Sequence, residues 1–499
     1  MPIPTGWNLF DIIPYLPLAV RQAQYRRLGG LILVAFLLAL PGCLAYHPEP
    51  LTRESVEAAL SLPADTLLNQ RLQALRGPFR RGVAIDGRDG LSPDEAALLA
   101  VLVNPSLRIE RDRRGIAGAQ LLQAGLLPNP QFAFAFAAPT GGTTAGATKM
   151  FGVDLSWQAT ALIWRAAQID SARAHTEAVD VSVAWAEQQV AQSARMALYR
   201  LIVLNRQAKL ASAKNQRLST NLERMRQASG KGLITGLDLN AARTARNQSY
   251  NNLLGLRQQQ TRQRLLLKRA LGVPAGAAIA PQAAIGLPDH LEIPPLDRLV
   301  EGVEDRRFDL LALRRGYESQ EAALHVAVLK QFPKISIGFH NDRDNGNINN
   351  LGLGIFISLP VFDHNQGAIA SKTATRQQLY DEYINRLFVA RSKIATLTAN
   401  IDALNHRIDA VEAALPPLQA LVENYRAAVD QGQADVLNFY IVWNRLTDQR
   451  IKLLSLEQNL IENRVGLELA AGLQCIGRTA ENFAGCLPTT LISERTETP

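Results

Sequence analysis

The spacing of apolar positions changes period along the chain, and the same changes occur twice in the same order. From Gln131 to Ala137, Phe132, Phe134 and Phe136 alternate with alanines, a period of two that predicts a β-strand. The alternation returns over Phe151–Trp157, Ile335–Phe339 and Leu351–Leu359. Between the members of each pair, 139–148 and 341–350 are rich in Gly, Thr, Asn and Asp, which predicts exposed hairpin loops. Beyond each hairpin the period lengthens. Val190, Ala194, Ala197, Leu201, Leu204, Ala208, Ala211, Asn215, Leu218, Leu222 and Met225 step by four and three without a slip, the heptad seam of a long helix. The seam recurs at Leu387, Ala390, Ile394, Leu397, Ile401, Leu404, Ile408, Val411, Leu415, Leu418, Val422, Tyr425 and Val429. A helix from Ala161 to Ala228 would reach roughly 100 Å at ~1.5 Å per residue. It then turns at Ser229-Gly230-Lys231-Gly232 and returns as a second helix, giving a helical hairpin. Alanines in the seam permit close helix approach.

The two occurrences are in register. LLPNPQFAFAF (126–136) matches LKQFPKISIGF (329–339) at an offset of 203, and Gly152–Trp157 matches Gly354–Leu359 at an offset of 202. Gly232 and Gly432 each introduce a helix start, at Asp238 and at Asp435 with Asn438. Matches in the same order indicate an internal duplication. Prolines 274, 281, 288, 294 and 295 cannot continue a helix and mark a linker. The expected organisation is therefore an amino-terminal segment 43–90, repeat 1 over 91–272, linker 273–296, repeat 2 over 297–473 and a tail 474–499.

Residues 1–42 stand apart as an address. The apolar run Leu28–Leu40 follows Arg21, Arg26 and Arg27 and, at roughly 20 Å of helix, is short of the ~30 Å hydrocarbon core. It reads as a secretory signal. Leu40-Pro41-Gly42-Cys43 resembles a bacterial lipobox, which implies lipidation of Cys43. Cys475 and Cys486 are the other cysteines of the chain; an oxidising compartment permits them to form a disulfide. The net charge of +8 is spread among acids and glutamines, so no clustered basic face points to nucleic acid. No phosphate loop, HExxH, GxSxG or CxxC motif occurs, so nothing supports an enzyme or a resident cofactor. His340, Asp342, Asp344 and His364 invite a metal reading, but the first three fall in an expected loop and no metal site is assigned.

Four amphipathic strands cannot close a barrel, and open strand edges are not tolerated in hydrocarbon. The strands must be completed by other copies of the chain, and closed cyclic symmetry is the usual route. Three copies would supply twelve strands, within the roughly eight-to-twenty-six range of outer-membrane barrels. At this point the chain resembles the TolC-like outer-membrane efflux family from about Leu91 to Leu473. SPDEAALLAVLVNPSLRIERDRRGIAGAQLLQAGLLPNPQF (92–132) is similar to the family's first helix and first strand, and the two Gly-to-Asp/Asn turns look like its hairpin tips.

The resemblance implies a mainly α fold with membrane β-structure: a homotrimer with a twelve-stranded barrel in outer-membrane lipid and a helical periplasmic tunnel. It implies a periplasmic adaptor and an inner-membrane pump of the resistance-nodulation-division type as partners. It also implies a constriction at the tips near Asp435, Asn438 and Asp238, with Lys231, Gly232 and Gly432 at the turns toward the adaptor. Asp238 reads better as an ordinary helix cap, and Asp435 reads equally as one. Phe132, Phe134, Phe136, Trp157 and Phe339 are expected to face lipid. LPVFDHNQGAIA (359–370) and the Leu-Pro step at Leu415-Pro416 look like the heavy-metal branch. A drug conduit and a non-channel coiled-coil lipoprotein stay open as alternatives.

Overall fold

The computed structural model describes residues 46–61, 63, 67, 68, 70, 85, 89–143, 145–283, 285–431 and 433–473. The expected signal 1–42, Cys43, Gly432, Cys475 and Cys486 lie outside the described residues. The chain forms two units, Met1–Ala59 and Leu60–Pro499. Among the described residues, the first holds α1 (Arg53–Leu60) apart from its last residue.

The second unit holds α2 (Pro93–Val103), α3 (Pro105–Gly125), β1 (Gln131–Ala137), β2 (Met150–Gln158), α4 (Ala161–Gly230) and α5 (Gly236–Leu271). The plan then repeats with α6 (Leu296–Val300), α7 (Val303–Arg306), α8 (Phe308–Leu329), β3 (Lys334–Arg343), β4 (Asn349–Ser358), α9 (Gln366–Asp430) and α10 (Val436–Ala470). The strands form one antiparallel sheet in the order β1-β2-β3-β4. Helices α4 and α5 pack as one hairpin, α9 and α10 as another, and α4 joins α10.

With 70 residues, α4 spans about 105 Å at ~1.5 Å per residue. Every seam position named above in α4 and α9 is buried or half-buried, because the heptad keeps one stripe turned toward the partner helix. Each repeat has its own apolar core. In repeat 1, Leu98, Leu198, Leu201, Leu267 and Leu271 meet; in repeat 2, Leu299, Ile394, Ile401, Leu460 and Leu467 do. Linker residues take part in both: Ile279 and Ile285 lie against the first core, and Leu291 is buried in the second.

Two features differ from the sequence reading. The single helix expected after Ser92 breaks at Asn104, because Pro105 disfavours a helical residue before it and Asn104 caps the new helix. Its Oδ1 accepts from Ser106 N (3.0 Å) while its Nδ2 donates to Ala270 O (2.9 Å). Second, the loop expected at 341–350 is shorter. β3 and β4 pair out to Arg343 opposite Asn349, and the turn is closed by Asp344 Oδ1, which accepts from Gly346 N and Ile348 N. His340 and Asp342 are therefore strand residues. As the unbroken seam across Leu415 and Leu418 requires, α9 continues through Pro416 and Pro417; its packing on α10 outweighs the two missing backbone donors.

Gly272 ends α5 in the left-handed region at φ 78°, and Gly472 ends α10 the same way at φ 69°. A Cβ on Gly272 would lie 2.5 Å from Asn104 Cα. Gly272→Ala is expected to lower stability by about 1–3 kcal/mol, through the positive φ and the backbone clash. Denaturant midpoints of the purified variant and wild type check this.

Candidate functional site

The antiparallel register assigns each strand residue to a face, since partners opposite one another share it. One face carries Phe132, Phe134 and Phe136 from β1, Phe151, Val153, Leu155 and Trp157 from β2, Ile335, Ile337 and Phe339 from β3, and Leu351, Leu353, Ile355 and Ile357 from β4. Its polar members, Asn341, Arg343 and Asn349, sit toward the hairpin-turn end. Most of these apolar side chains are exposed, Phe134 by 63% and Leu353 by 82%. Trp157 differs: half-buried, it donates from Nε1 to Pro128 O at 2.9 Å, pinning the start of β1 to β2.

The other face is small or polar. Asp154 stands opposite His340, and His340 opposite Gly352; a side chain on Gly352 would overlap the His340 ring. Asp342 accepts from Asn350 Nδ2 at 3.1 Å. Met150, at the end of β2, and Phe356 break the polarity; Phe356 lies over Gly338 and Gly354. The four-stranded sheet thus has one apolar and one polar surface, and β1 and β4 are edge strands.

At the far ends of the hairpins, Lys231 N donates to Ala228 O and Gly232 N to Ser229 O, with Gly232 at φ 70°. Asp238 is the N3 residue of a capping box: Thr235 N (3.1 Å) and Thr235 Oγ1 (2.6 Å) donate to Oδ2. The hydroxyl and then the backbone N–H of Thr235 hold its carboxyl below the ordinary range. Asp435 and Asn438 are exposed at the start of α10. Lys214–Asp448 (2.7 Å), Gln207–Ser455 (2.9 Å) and Arg200–Glu462 (2.7 Å) join α4 to α10, and their regular antiparallel spacing brings the two turns to one level.

Within LPVFDHNQGAIA, Asn365 adopts φ 63° and begins α9, donating from Nδ2 to Ala327 O at 2.7 Å, while His364 N donates to Gln366 Oε1. The motif builds the strand-to-helix turn. Among the described residues no group of His, Cys, Asp and Glu is placed to hold a metal, and no helix is long and apolar enough to cross a membrane.

The sequence reading missed a buried polar cluster. Glu468 on α10 accepts from Arg195 (2.6 Å), Gln192 (3.2 Å) and Arg464 (3.1 Å), while Arg195 also meets Asp94 at 3.2 Å. Burial alone would raise the Glu468 carboxyl, but Arg195 and then Arg464 outweigh it and hold it below the ordinary glutamate range. Gln188, Gln192 and Arg195, at four- and three-residue spacing, were the available signal: a polar stripe beside the apolar seam.

A search of the solved structures finds this architecture again. CusC aligns at a TM-score of 0.64 and 18% identity, over 76% of this chain and 92% of its own. The outer-membrane protein VceC of Vibrio cholerae aligns at 0.62 and 18%, over 76% and 96%. The Campylobacter jejuni outer-membrane channel CmeC aligns at 0.65 and 13%, over 81% and 91%. The chain has the TolC-like fold. Among curated proteins, the cobalt-zinc-cadmium resistance protein CzcC of Cupriavidus metallidurans is 22% identical over 276 residues, 54% of this chain and 64% of that protein. The match thus spans just under two thirds of the relative's length. No family model matches the sequence. In the TolC-like fold described here, the two-faced sheet continues directly into the hairpins through β2–α4 and β4–α9.

Proposed function

We propose that this chain is the outer-membrane channel of a tripartite efflux system, a passive conduit across the outer membrane and periplasm. The observation that carries the reading is the sheet: one apolar face, one polar face and two open edges, continuous with helices about 100 Å long. An exposed apolar face of this extent requires a cover, and open edges in hydrocarbon require strand partners. Three copies joined edge to edge would meet both needs, with the apolar face toward lipid and the polar face lining the channel.

The partners in this reading are a periplasmic adaptor, contacting the turns at Lys231, Gly232 and Gly432, and an inner-membrane pump of the resistance-nodulation-division type. Cys43 would carry the lipid anchor, and Cys475 with Cys486 a disulfide. The cargo proposed is heavy-metal cations, supported by the likeness to CzcC, a cobalt-zinc-cadmium resistance protein. Asp435 and Asn438 would form the ring at the narrow end, where carboxylates concentrate cations. Asp238 contributes there less directly, since Thr235 engages its carboxylate.

Purified protein in a planar bilayer is expected to give stepwise, cation-preferring conductance. Asp435→Asn is expected to shift the reversal potential in a salt gradient toward zero. Absence of conductance steps from correctly assembled protein would defeat the channel reading; an unchanged reversal potential would remove Asp435 from the constriction.

A further inference from the structure

The two outermost long helices, α5 and α9, carry charge stripes of opposite sign. Helix α5 has seven basic residues and a single acid, Asp238, whereas its counterpart α10 has four of each sign. On α5, Arg243, Tyr250, Arg257 and Arg264 recur every seven residues and are all exposed. On α9, Asp402, Asp409, Pro416, Glu423 and Asp430 do the same. A seven-residue step is nearly two helical turns, so each set forms one flank.

The two flanks also match in height. Between α5 and α4 the rungs are Arg246–Ser219 (3.4 Å) and Gln260–Asn205 (2.9 Å). Between α4 and α10 they are Lys214–Asp448 and Arg200–Glu462. Between α10 and α9 they are Asn463–Asn400 (3.3 Å) and Gly466 beside Leu397. Followed through, these antiparallel steps bring Arg243 level with Glu423, Tyr250 with Pro416, Arg257 with Asp409 and Arg264 with Asp402. Each stripe sits roughly a quarter turn from the middle of its helix's buried face. Because the helices run in opposite directions, the two stripes point to the same side of the helical layer.

Within one chain, α5 packs on α4 and α2, while α9 packs on α8, α10 and α6, so the two stripes mark opposite margins of the layer. We infer that α9 of one copy docks antiparallel on α5 of the next, pairing Arg243 with Glu423, Arg257 with Asp409 and Arg264 with Asp402, and setting Tyr250 against Pro416. This rests on the channel reading and names the surface by which its copies recognise one another. The contact is head-to-tail, the type that closes into a ring, and its charges select partner and register as flanking charges do in coiled coils. Asp430 falls level with the amino end of α5, where a carboxylate is favoured.

The test uses the full chain purified in detergent. Reversing the basic stripe (Arg243→Glu, Arg257→Glu, Arg264→Glu) is expected to weaken association at least about tenfold, and reversing the acidic stripe (Asp402→Arg, Asp409→Arg, Glu423→Arg) equally so. Combining both sets is expected to restore it. Independently, Arg257→Cys with Asp409→Cys is expected to give covalent multimers on oxidation, resolved on a denaturing gel against wild type. Association without rescue or cross-link would overturn the docking register while leaving the channel reading intact. Undiminished association with loss of adaptor binding would assign the basic stripe to the adaptor instead. A wild-type chain that stays monomeric would defeat both readings.

Discussion

Glu468→Ala is expected to cost about 3–5 kcal/mol of stability, the usual penalty for leaving buried charges without their partner. Glu468 is fully buried and receives Arg195, Gln192 and Arg464; truncating it takes from two buried guanidinium groups the carboxylate they share. The cluster ties repeat 1 to repeat 2, since Arg195 lies on α4 and Glu468 on α10. The loss should therefore appear as separation of the two hairpins as well as a lower midpoint in thermal or denaturant unfolding. The sign with pH is fixed by the lowered carboxyl. Its contribution is fully present above the ordinary glutamate range and is lost as pH falls through the lower folded value. The deficit of the variant against wild type should thus narrow in acid and persist at neutral pH. Replacing Glu468, Arg195 and Arg464 together by apolar residues is expected to cost much less than Glu468→Ala alone, because no charge is then left buried. A single-variant loss under about 1 kcal/mol would show that the cluster is hydrated rather than sealed.

Phe134→Arg is expected to cost about 2–4 kcal/mol in the membrane-assembled state, as a cation on the lipid face of a barrel does near mid-depth. Phe134 lies mid-strand, opposite Val153, on the apolar face. Ala133→Arg is the informative companion. It projects from the other face, opposite Asp154, where a cation meets water and a carboxylate, and is expected to be nearly neutral. The yield of heat-resistant oligomer in outer-membrane fractions reads both. Equal effects of the two substitutions would mean that the faces do not divide between lipid and water.

Much of this architecture is legible in local pattern. The Phe-Ala alternation gave β1 its bounds, and the four-and-three spacing found the buried stripes of α4 and α9 because periodicity is a property of neighbours along the chain. The hairpin loop was placed less well: Asn and Asp at 341–350 look like turn residues, yet Asp342 and Asn350 face each other across paired strands. Ser92 and Asn104 show the same limit. Both are good caps and Pro105 marks the break locally, but the docking of Asn104 on Ala270 and against Gly272 is visible only in the fold.

The sequence by itself determined the duplication, the four strands and the two long hairpins, since these follow from period and from Gly and Pro punctuation. Only the tertiary structure decided that Glu468 and Arg195 lock the repeats together, and that the charged flanks of α5 and α9 stand level. Those outcomes depend on residues far apart in the chain meeting at fixed heights, which packing alone sets.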